Sequence, residues 1–418
     1  MVRLTRLRID RFRNVKPGTE LRFGPTFNVL LGKNATGKST LLDLVAAVTN
    51  DDLSAYANED AGFDLTWWLE NGEFQIELQA VRTPARPGVM PDHVREEKEF
   101  DDVWRIVLRT EGTETGRLEV TGTRGTWNLV DEPAKSFDVR TGLAAGRAGM
   151  RALLAVAGRH SAGTPAVMRV RAAVRLFAWF ERIGRFDEAL STLDDITRLS
   201  FELSRGGASG GGSFDPWLPR DFTHSAVATL PDPLVISFEK IGSLQKIPAL
   251  LGFASAELRP RMLKQSQAGE KVTTLYQGID CLFRRTDGSQ VSHELLSFGQ
   301  KRLFAFLWYL AVRGEFPVVA DELLNGLHHD WIEACLDPLR DRQSFLATQH
   351  PLLLDHIPVE SAEAVRTTFV RCSTERGPNG REQLAWRNFN EEEAERFFVA
   401  YQTGIQHVSE VLRSEGLW

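Results

Sequence analysis

Phe27-Asn28-Val29-Leu30-Leu31-Gly32-Lys33-Asn34-Ala35-Thr36-Gly37-Lys38-Ser39-Thr40 is the stretch on which the reading of this chain turns. Its first five residues are a short apolar run that ends at glycine, the pattern of a buried strand. The nine that follow match GxxxxGK[ST] in full, the Walker A pattern. Beyond them, Leu41, Leu42, Leu44, Val45 and Val48 fall at helical spacing. Strand, glycine-bearing loop and helix is the setting in which backbone amides and the positive end of a helix face a phosphate. In that setting Lys38 neutralises β and γ phosphates, and the Ser39 hydroxyl ligates Mg²⁺.

Working outward, 4–9 alternates enough to be a half-buried strand, with a second strand near 20–23 and a turn at Gly24-Pro25. Residues 73–82 and 104–130 read as further strands, the latter with a hairpin around 122–125. From about 140 to 204 the pattern turns helical, rich in Ala, Leu and Arg. It ends in a Gly- and Ser-rich stretch at 205–213, which reads as a mobile loop. A helix is expected around 245–265, strands at 271–284, and an amphipathic helix over 391–412. The last 130 or so residues alternate helix and strand, as parallel α/β structure does.

Three downstream elements carry chemistry. Leu296-Ser297-Phe298-Gly299-Gln300 precedes an apolar helix; alone it is a weak pattern, and a helix N-cap by Ser297 explains it equally well. Phe316-Pro317-Val318-Val319-Ala320 is a buried-strand run that ends in Asp321-Glu322, the placement of a Walker B pair. A second apolar strand, 344–348, runs into Gln349-His350-Pro351, where a histidine could reach a γ phosphate.

Composition narrows the class. The chain has 418 residues, 42% hydrophobic and 25% charged, which is ample for a large or composite globular architecture. Its longest strongly apolar run, 303–312, is half of what a membrane-spanning helix needs. The N-terminus interleaves arginines with apolar residues and is no secretory signal. The three cysteines, Cys281, Cys335 and Cys372, are widely spaced and suit a reducing compartment, so a cytoplasmic, membrane-free protein is expected. The net charge of −6 is unevenly spread: 135–185 holds ten Lys/Arg against two acids. An anionic partner would meet that segment.

Walker A, LSxGQ, hydrophobic-Asp-Glu and strand-His, in that order, resemble the ATP-binding-cassette (ABC) ATPases. Within them the chain is similar to the SMC, RecF and OLD-type branch. Phe12-Arg13-Asn14-Val15 after the opening strand carries this narrower likeness. So do Asp321-Glu322-Leu323-Leu324-Asn325-Gly326-Leu327-His328 and Ala347-Thr348-Gln349-His350-Pro351, together with the 259 positions separating Lys38 from Ser297. Ala35, Leu323 and Gln349 depart from the branch's usual residues, and none removes a group that hydrolysis needs.

The resemblance implies ATP and Mg²⁺ as cofactors and ATP hydrolysis as the activity. Asn34, Ala35, Thr36, Gly37, Lys38, Ser39 and Thr40 would hold the nucleotide, with Arg13 and Asn14 near it. Ser39 and Asp321 would hold the metal, Glu322 would activate water, and His350 would sense the γ phosphate. Ser297, Gly299 and Gln300 would act in trans, with Asn325 and Gly326 as the D-loop. A homodimer sandwiching two ATP molecules follows. The Q-loop glutamine is open between Gln75 and Gln79.

The expected fold class is α/β, a mixed sheet flanked by helices and interrupted by a large, mainly helical insertion. Residues 1–130 would form the first half of the ATPase head, 131–265 the insertion and 266–418 the second half. In the insertion Arg171, Arg175 and Arg182 lie within about 40° of each other on a helical projection. That stripe could track a phosphate backbone, or could be a solvated face bonded to nearby acids. Two functions follow: a nucleic-acid clamp or sensor in defence or repair, or a nucleotide-switched scaffold for a separate effector protein such as a nuclease or toxin.

Overall fold

The computed structural model describes residues 2–57, 59, 62–72, 74–83, 101–122, 124–130, 132–138, 185–186, 198–205, 211–215, 217–229, 234–314, 316–348, 351–378, 380–403 and 407–414. The chain divides into two compact units. One comprises Met1–Arg182, Glu315–Val319 and Arg342–Trp418; the other comprises Ile183–Gly314 and Ala320–Asp341.

In the first unit an antiparallel sheet of eight strands starts with β1 (Arg3–Phe12) and β2 (Thr19–Arg22). It continues through β4 (Phe63–Glu70), β5 (Phe74–Thr83), β6 (Asp101–Thr110), β7 (Thr113–Thr121), β8 (Arg124–Leu129) and β9 (Glu132–Asp138), in the order β2-β1-β4-β5-β6-β7-β8-β9. Strand β1 buries Leu4, Leu7, Ile9 and Phe12, which is not strict alternation. Register shifts against β4 fall between Leu4 and Arg6 and between Ile9 and Arg11. Each bulge inserts one residue and restores the apolar side chains to the core face.

The second sheet of this unit is built around β3 (Phe27–Leu31), all five of whose residues are buried. It pairs in parallel with β17 (Ser344–Ala347) and β18 (Phe369–Arg376), and β18 pairs antiparallel with β19 (Glu382–Asn388). Continuous burial is what a central parallel strand covered on both faces requires. Strand β16 (Val318–Asp321) completes the order β16-β17-β3-β18-β19, and its last two residues belong to the second unit. Helix α1 (Lys38–Thr49) buries Leu41, Leu42, Leu44, Val45 and Val48 in one core with Leu7, Phe12, Trp67, Phe345 and Val370. Buried Gln343 ties the entry to β17: its amide donates to the carbonyls of Leu4 (2.7 Å) and Gly24 (2.9 Å), and its oxygen accepts from the Leu4 amide (2.8 Å). A buried polar side chain is tolerated when its bonds are made.

The second unit holds an antiparallel sheet of β10 (Ser200–Arg205), β11 (Gly211–Phe214), β12 (Ile236–Ser237), β13 (Ser255–Ala268), β14 (Lys271–Arg284) and β15 (Gln290–Ser292). Helices α2 (Arg220–Thr229) and α3 (Phe298–Arg313) belong to the same unit. Phe304 of α3 packs edge-on to Phe283 of β14 (centroids 5.6 Å), and the Trp308 indole donates to the Trp217 carbonyl at 2.8 Å. Among the described residues no helix is long and apolar enough to cross a membrane.

Three sequence expectations change. First, the described part of 131–265 holds the strands β9 to β12 and the start of β13 beside helix α2. Ser200–Arg205 forms β10 because Phe201 and Leu203 alternate onto a buried face against β14. Within the glycine-rich 205–213, Gly211 opens β11, whose backbone pairs with β10; ladder bonds need no side chains. Second, the helix expected over 245–265 is a single turn, Ile247–Leu250, followed by β13. There Ala256, Leu258 and Pro260 are buried in alternation, so pairing with β14 overrides the helical propensity of the stretch. Third, the tail helix ends at Gln402 as α4 (Glu391–Gln402), and a separate helix spans Val408–Ser414. Most of 139–197, including Arg171, Arg175 and Arg182, lies outside the described residues.

Candidate nucleotide-binding and catalytic site

The 32–37 loop leaves β3 and enters α1 through Gly37, whose φ of 81° is left-handed. A side chain there would also place its Cβ 2.7 Å from Leu384 Cδ1, so the position takes only glycine. Ala35 is left-handed too, at φ 63°. Turns of this kind aim successive amides into one concavity, which favours anions. No side chain caps α1, and its first turn carries no acidic residue. The helix's positive end therefore stays unneutralised by its own sequence. The buried Lys38 ammonium donates to the carbonyls of Gly32 (2.8 Å) and Lys33 (2.9 Å), which folds it over the loop. Thr36 Oγ1 donates to the Lys33 carbonyl (2.8 Å), while Asn34 and Ser39 are exposed. A loop of this charge and shape fits a nucleotide's phosphates.

Arg13, also left-handed (φ 47°), donates to Glu59 at 2.6 and 2.9 Å and lies 5.3 Å from the rings of Phe12 and Tyr56. The hydrogen bond to Glu59 holds its pKa above the ordinary arginine value. Its charge is thus spent on a carboxylate. The neighbouring Asn14 carbonyl accepts from the Leu384 amide at 2.9 Å.

Strand β19 supplies what sequence reasoning missed. Besides Leu384 against Gly37, the Trp386 indole donates to the Thr36 carbonyl at 3.0 Å. Leu384 therefore joins the Arg13-Asn14 turn to the phosphate loop, and Trp386 fixes the loop's crest. Nothing in the local sequence around 384–386 signals this, because the partners lie about 350 residues away.

In the second unit Asp321 ends β16 and Glu322 follows it with φ 47°. A non-glycine residue there costs about 1–3 kcal/mol. The strain is held in place: Arg302 of α3 donates to the carbonyls of Glu322 (2.9 Å) and Leu323 (3.3 Å). The Asp321 carboxylate lies 3.6 Å from the Arg185 guanidinium. A strand-terminal carboxylate of this kind suits a hard divalent cation.

Ser297 is exposed and caps α3. Its Oγ accepts from the Gln300 amide (3.3 Å), and Gln300 Oε1 accepts from the Ser297 amide (3.0 Å). The N-cap that sequence alone could not exclude is therefore present, and it leaves the hydroxyl on the surface. The Phe298 ring lies so close to Gly326 that a Cβ there would collide with it; Gly299 is equally crowded by Trp331, 2.8 Å from a Cβ. The Ser297–Gly299 and Asn325–Gly326 segments are thus packed as one surface, on which Leu295 and Phe298 are exposed by 78% and 62%. Beyond it, exposed His328 and His329 both contact the Asp330 carboxylate, at 3.1 and 3.0 Å.

Lys38 and its loop belong to the first unit, and Asp321, Glu322, Ser297 and Gly326 to the second. His350 lies outside the described residues. Gln75 and Gln79 are both on β5, and Gln79 is taken up by Asp64 and Arg105 at 3.1 Å each. All three cysteines are buried; burial pushes the thiols of Cys335 and Cys372 up to about 12 and that of Cys281 higher still. None is a nucleophile.

No protein-family model matches the chain, and no curated protein does. Among solved structures it is similar to the SMC head domain from Thermotoga maritima, at 11% identity and a TM-score of 0.38, over 93% of this chain and 99% of that one. It is also similar to an Smc head bound to the C-terminal winged-helix domain of ScpA, at 12% identity and a TM-score of 0.39, over 93% and 98%. A third likeness is to the recombination mediator protein RecF of the RecFOR pathway, at 13% identity and a TM-score of 0.32, over 84% and 93%.

Proposed function

We propose that this chain is an ABC-type ATPase of the SMC/RecF-like kind, which binds ATP with Mg²⁺ and hydrolyses it to ADP and phosphate. The observation that carries the reading is the loop at Gly32–Lys38. Two left-handed residues, an uncapped helix start without acids and a lysine bent over the loop make one anion cradle. Lys38 and the amides of 34–40 hold the phosphates, releasing Lys38 from the Gly32 and Lys33 carbonyls. Ser39 and Asp321 hold the metal, which supplies neutralisation of the phosphate charge. Glu322 accepts the proton of the attacking water, and His350 contacts the γ phosphate. Arg13 stays on Glu59 unless the nucleotide draws it away, and Asn14 keeps the neighbouring turn in register.

Ser297, Gly299 and Gln300 of one copy close over the nucleotide of another, and Asn325 and Gly326 meet across the dimer. The exposed Leu295 and Phe298 beside Ser297 support a contact surface there. ATP then joins two copies, and hydrolysis releases them, a local charge change with a large readout. The excess of basic residues over 135–185, with Arg171, Arg175 and Arg182 as its stripe, supports a nucleic acid as what the cytoplasmic dimer clamps or senses, in defence or repair.

A second reading, a scaffold that controls a separate effector protein, is favoured by the outer half of the β13–β14 ribbon. There Met262 and Leu263 are exposed by 53% and 59%. Light scattering of Glu322→Gln with ATP, with and without double-stranded DNA, tests both. The clamp reading expects an ATP-dependent dimer that binds DNA and loses it on charge reversal at 171, 175 and 182. A dimer indifferent to DNA moves the function to the effector scaffold, and a monomer under all conditions removes the trans role of Ser297.

A further inference from the structure

Two consecutive residues that nothing in the sequence marks lie behind the end of β16: Arg185 faces the Asp321 carboxylate, and Phe186 packs under Arg302, which holds the backbone of Glu322. The Asp321 carboxylate is about four-fifths buried, and the guanidinium facing it at 3.6 Å is more so. A carboxylate in such a place is costly without a counter-charge. The separation exceeds the 2.7–2.9 Å or so of a tight charge-assisted hydrogen bond, so the pairing is mainly Coulombic and open to exchange.

Phe186 is fully buried. Its ring meets Phe306 edge-on (5.3 Å) and Tyr309 at a tilt (5.6 Å), both on α3. The Arg302 guanidinium lies over the same ring at 5.3 Å while donating to the carbonyls of Glu322 and Leu323. Phe186 therefore supports the group that keeps Glu322 in its left-handed backbone, as Arg185 supports the side chain of Asp321. The same dipeptide addresses the metal-ligand acid and the water-activating acid.

Resting on the ATPase reading, we propose that Arg185 is an internal counter-cation for Asp321 that a divalent metal displaces, with Phe186 as the anchor that remains. A guanidinium and a metal ion compete for the same carboxylate lone pairs, so each weakens the other by the same factor. Metal loading frees Arg185 from the carboxylate. Arg185 is a positioning residue: it acts on Asp321 and takes no proton.

The test is a titration of the full chain with Mn²⁺ in the absence of nucleotide, with bound ion read by electron paramagnetic resonance. Arg185→Ala is expected to bind Mn²⁺ about tenfold more tightly than wild type, which corresponds to about 1.4 kcal/mol. Arg185→Lys, which keeps the cation, stays within about threefold of wild type. Arg185→Ala in an Asp321→Asn background shows no gain over Asp321→Asn alone. Mn²⁺ affinity that is unchanged or weaker in Arg185→Ala overturns the proposal, as does a gain that survives Asp321→Asn. Should Arg185→Ala melt well below wild type, Arg185→Gln keeps the bulk, and the same criteria apply. Binding of a fluorescent ATP analogue, with Lys38→Ala as its control, is read separately. Its absence sinks the ATPase reading without bearing on the Mn²⁺ comparison.

Discussion

The indole of Trp386 donates to the carbonyl of Thr36 at 3.0 Å, so the antiparallel edge strand β19 of the sheet built around β3 holds the crest of the phosphate loop. Removing that donor while keeping an aromatic ring tests its worth. Trp386→Phe leaves a buried carbonyl without its partner, a loss of about 1 kcal/mol. The expected outcome is a folded protein whose affinity for a fluorescent ATP analogue falls about fivefold. An unchanged affinity would show that the loop holds its shape without β19.

Phe298 and Gly326 form the second close contact of the site. Gly326 has φ 77°, and a Cβ there would strike the Phe298 ring. Gly326→Ala should therefore cost about 2 kcal/mol, from left-handed strain together with the collision. In a Phe298→Ala background the collision is gone and only the strain remains, so the cost should fall by about 1 kcal/mol. Urea denaturation of the four variants measures this; simple additivity would mean the two segments are not packed as described.

Glu393, at the start of α4, receives two hydrogen bonds from Arg387 at 2.6 Å each and caps the Asn390 amide at 3.0 Å. The Arg387 guanidinium holds its carboxyl below the usual glutamate range, with the Asn390 amide adding to the effect. A depressed folded-state pKa means that the unfolded chain takes up the proton more readily, so this stability is present above about pH 4.3 and fades as pH falls through the folded value. Arg387 is half exposed, which limits the size to about 1 kcal/mol. Glu393→Gln keeps the capping geometry and removes the charge. Its urea midpoint should lie below wild type at pH 7, and the gap should close as pH falls through the folded value; a gap that widens in acid would reverse the sign.

Much of the fold was legible where the rules are local. The Phe27–Leu31 run, the loop and the spacing of Leu41, Leu42, Leu44, Val45 and Val48 place β3 and α1 within a residue or two. The strands around 74–83 and 113–129 also follow from alternation. Legibility failed where a partner decided the outcome. The stretch carrying Ala256, Leu258 and Pro260 has helical composition, and β14 makes it a strand. Gly211–Phe214 has no side-chain pattern to read, yet pairs with β10. At the site, Lys38, Asp321 and Glu322 stand out because their chemistry is carried by short patterns. Leu384, Trp386, Arg185 and Arg302 do not, since what matters about each is a contact across 20 or more positions of sequence.

The Lys38 loop is expected to bind ATP, and Glu322 to drive its hydrolysis. Phosphate release measured beside ATP binding, for wild type, Lys38→Ala and Glu322→Gln, tests it most directly. The expected result is binding without turnover in Glu322→Gln, with hydrolysis reduced about a hundredfold or more, and loss of both in Lys38→Ala. Wild-type hydrolysis in Glu322→Gln, or undiminished ATP binding in Lys38→Ala, would contradict it.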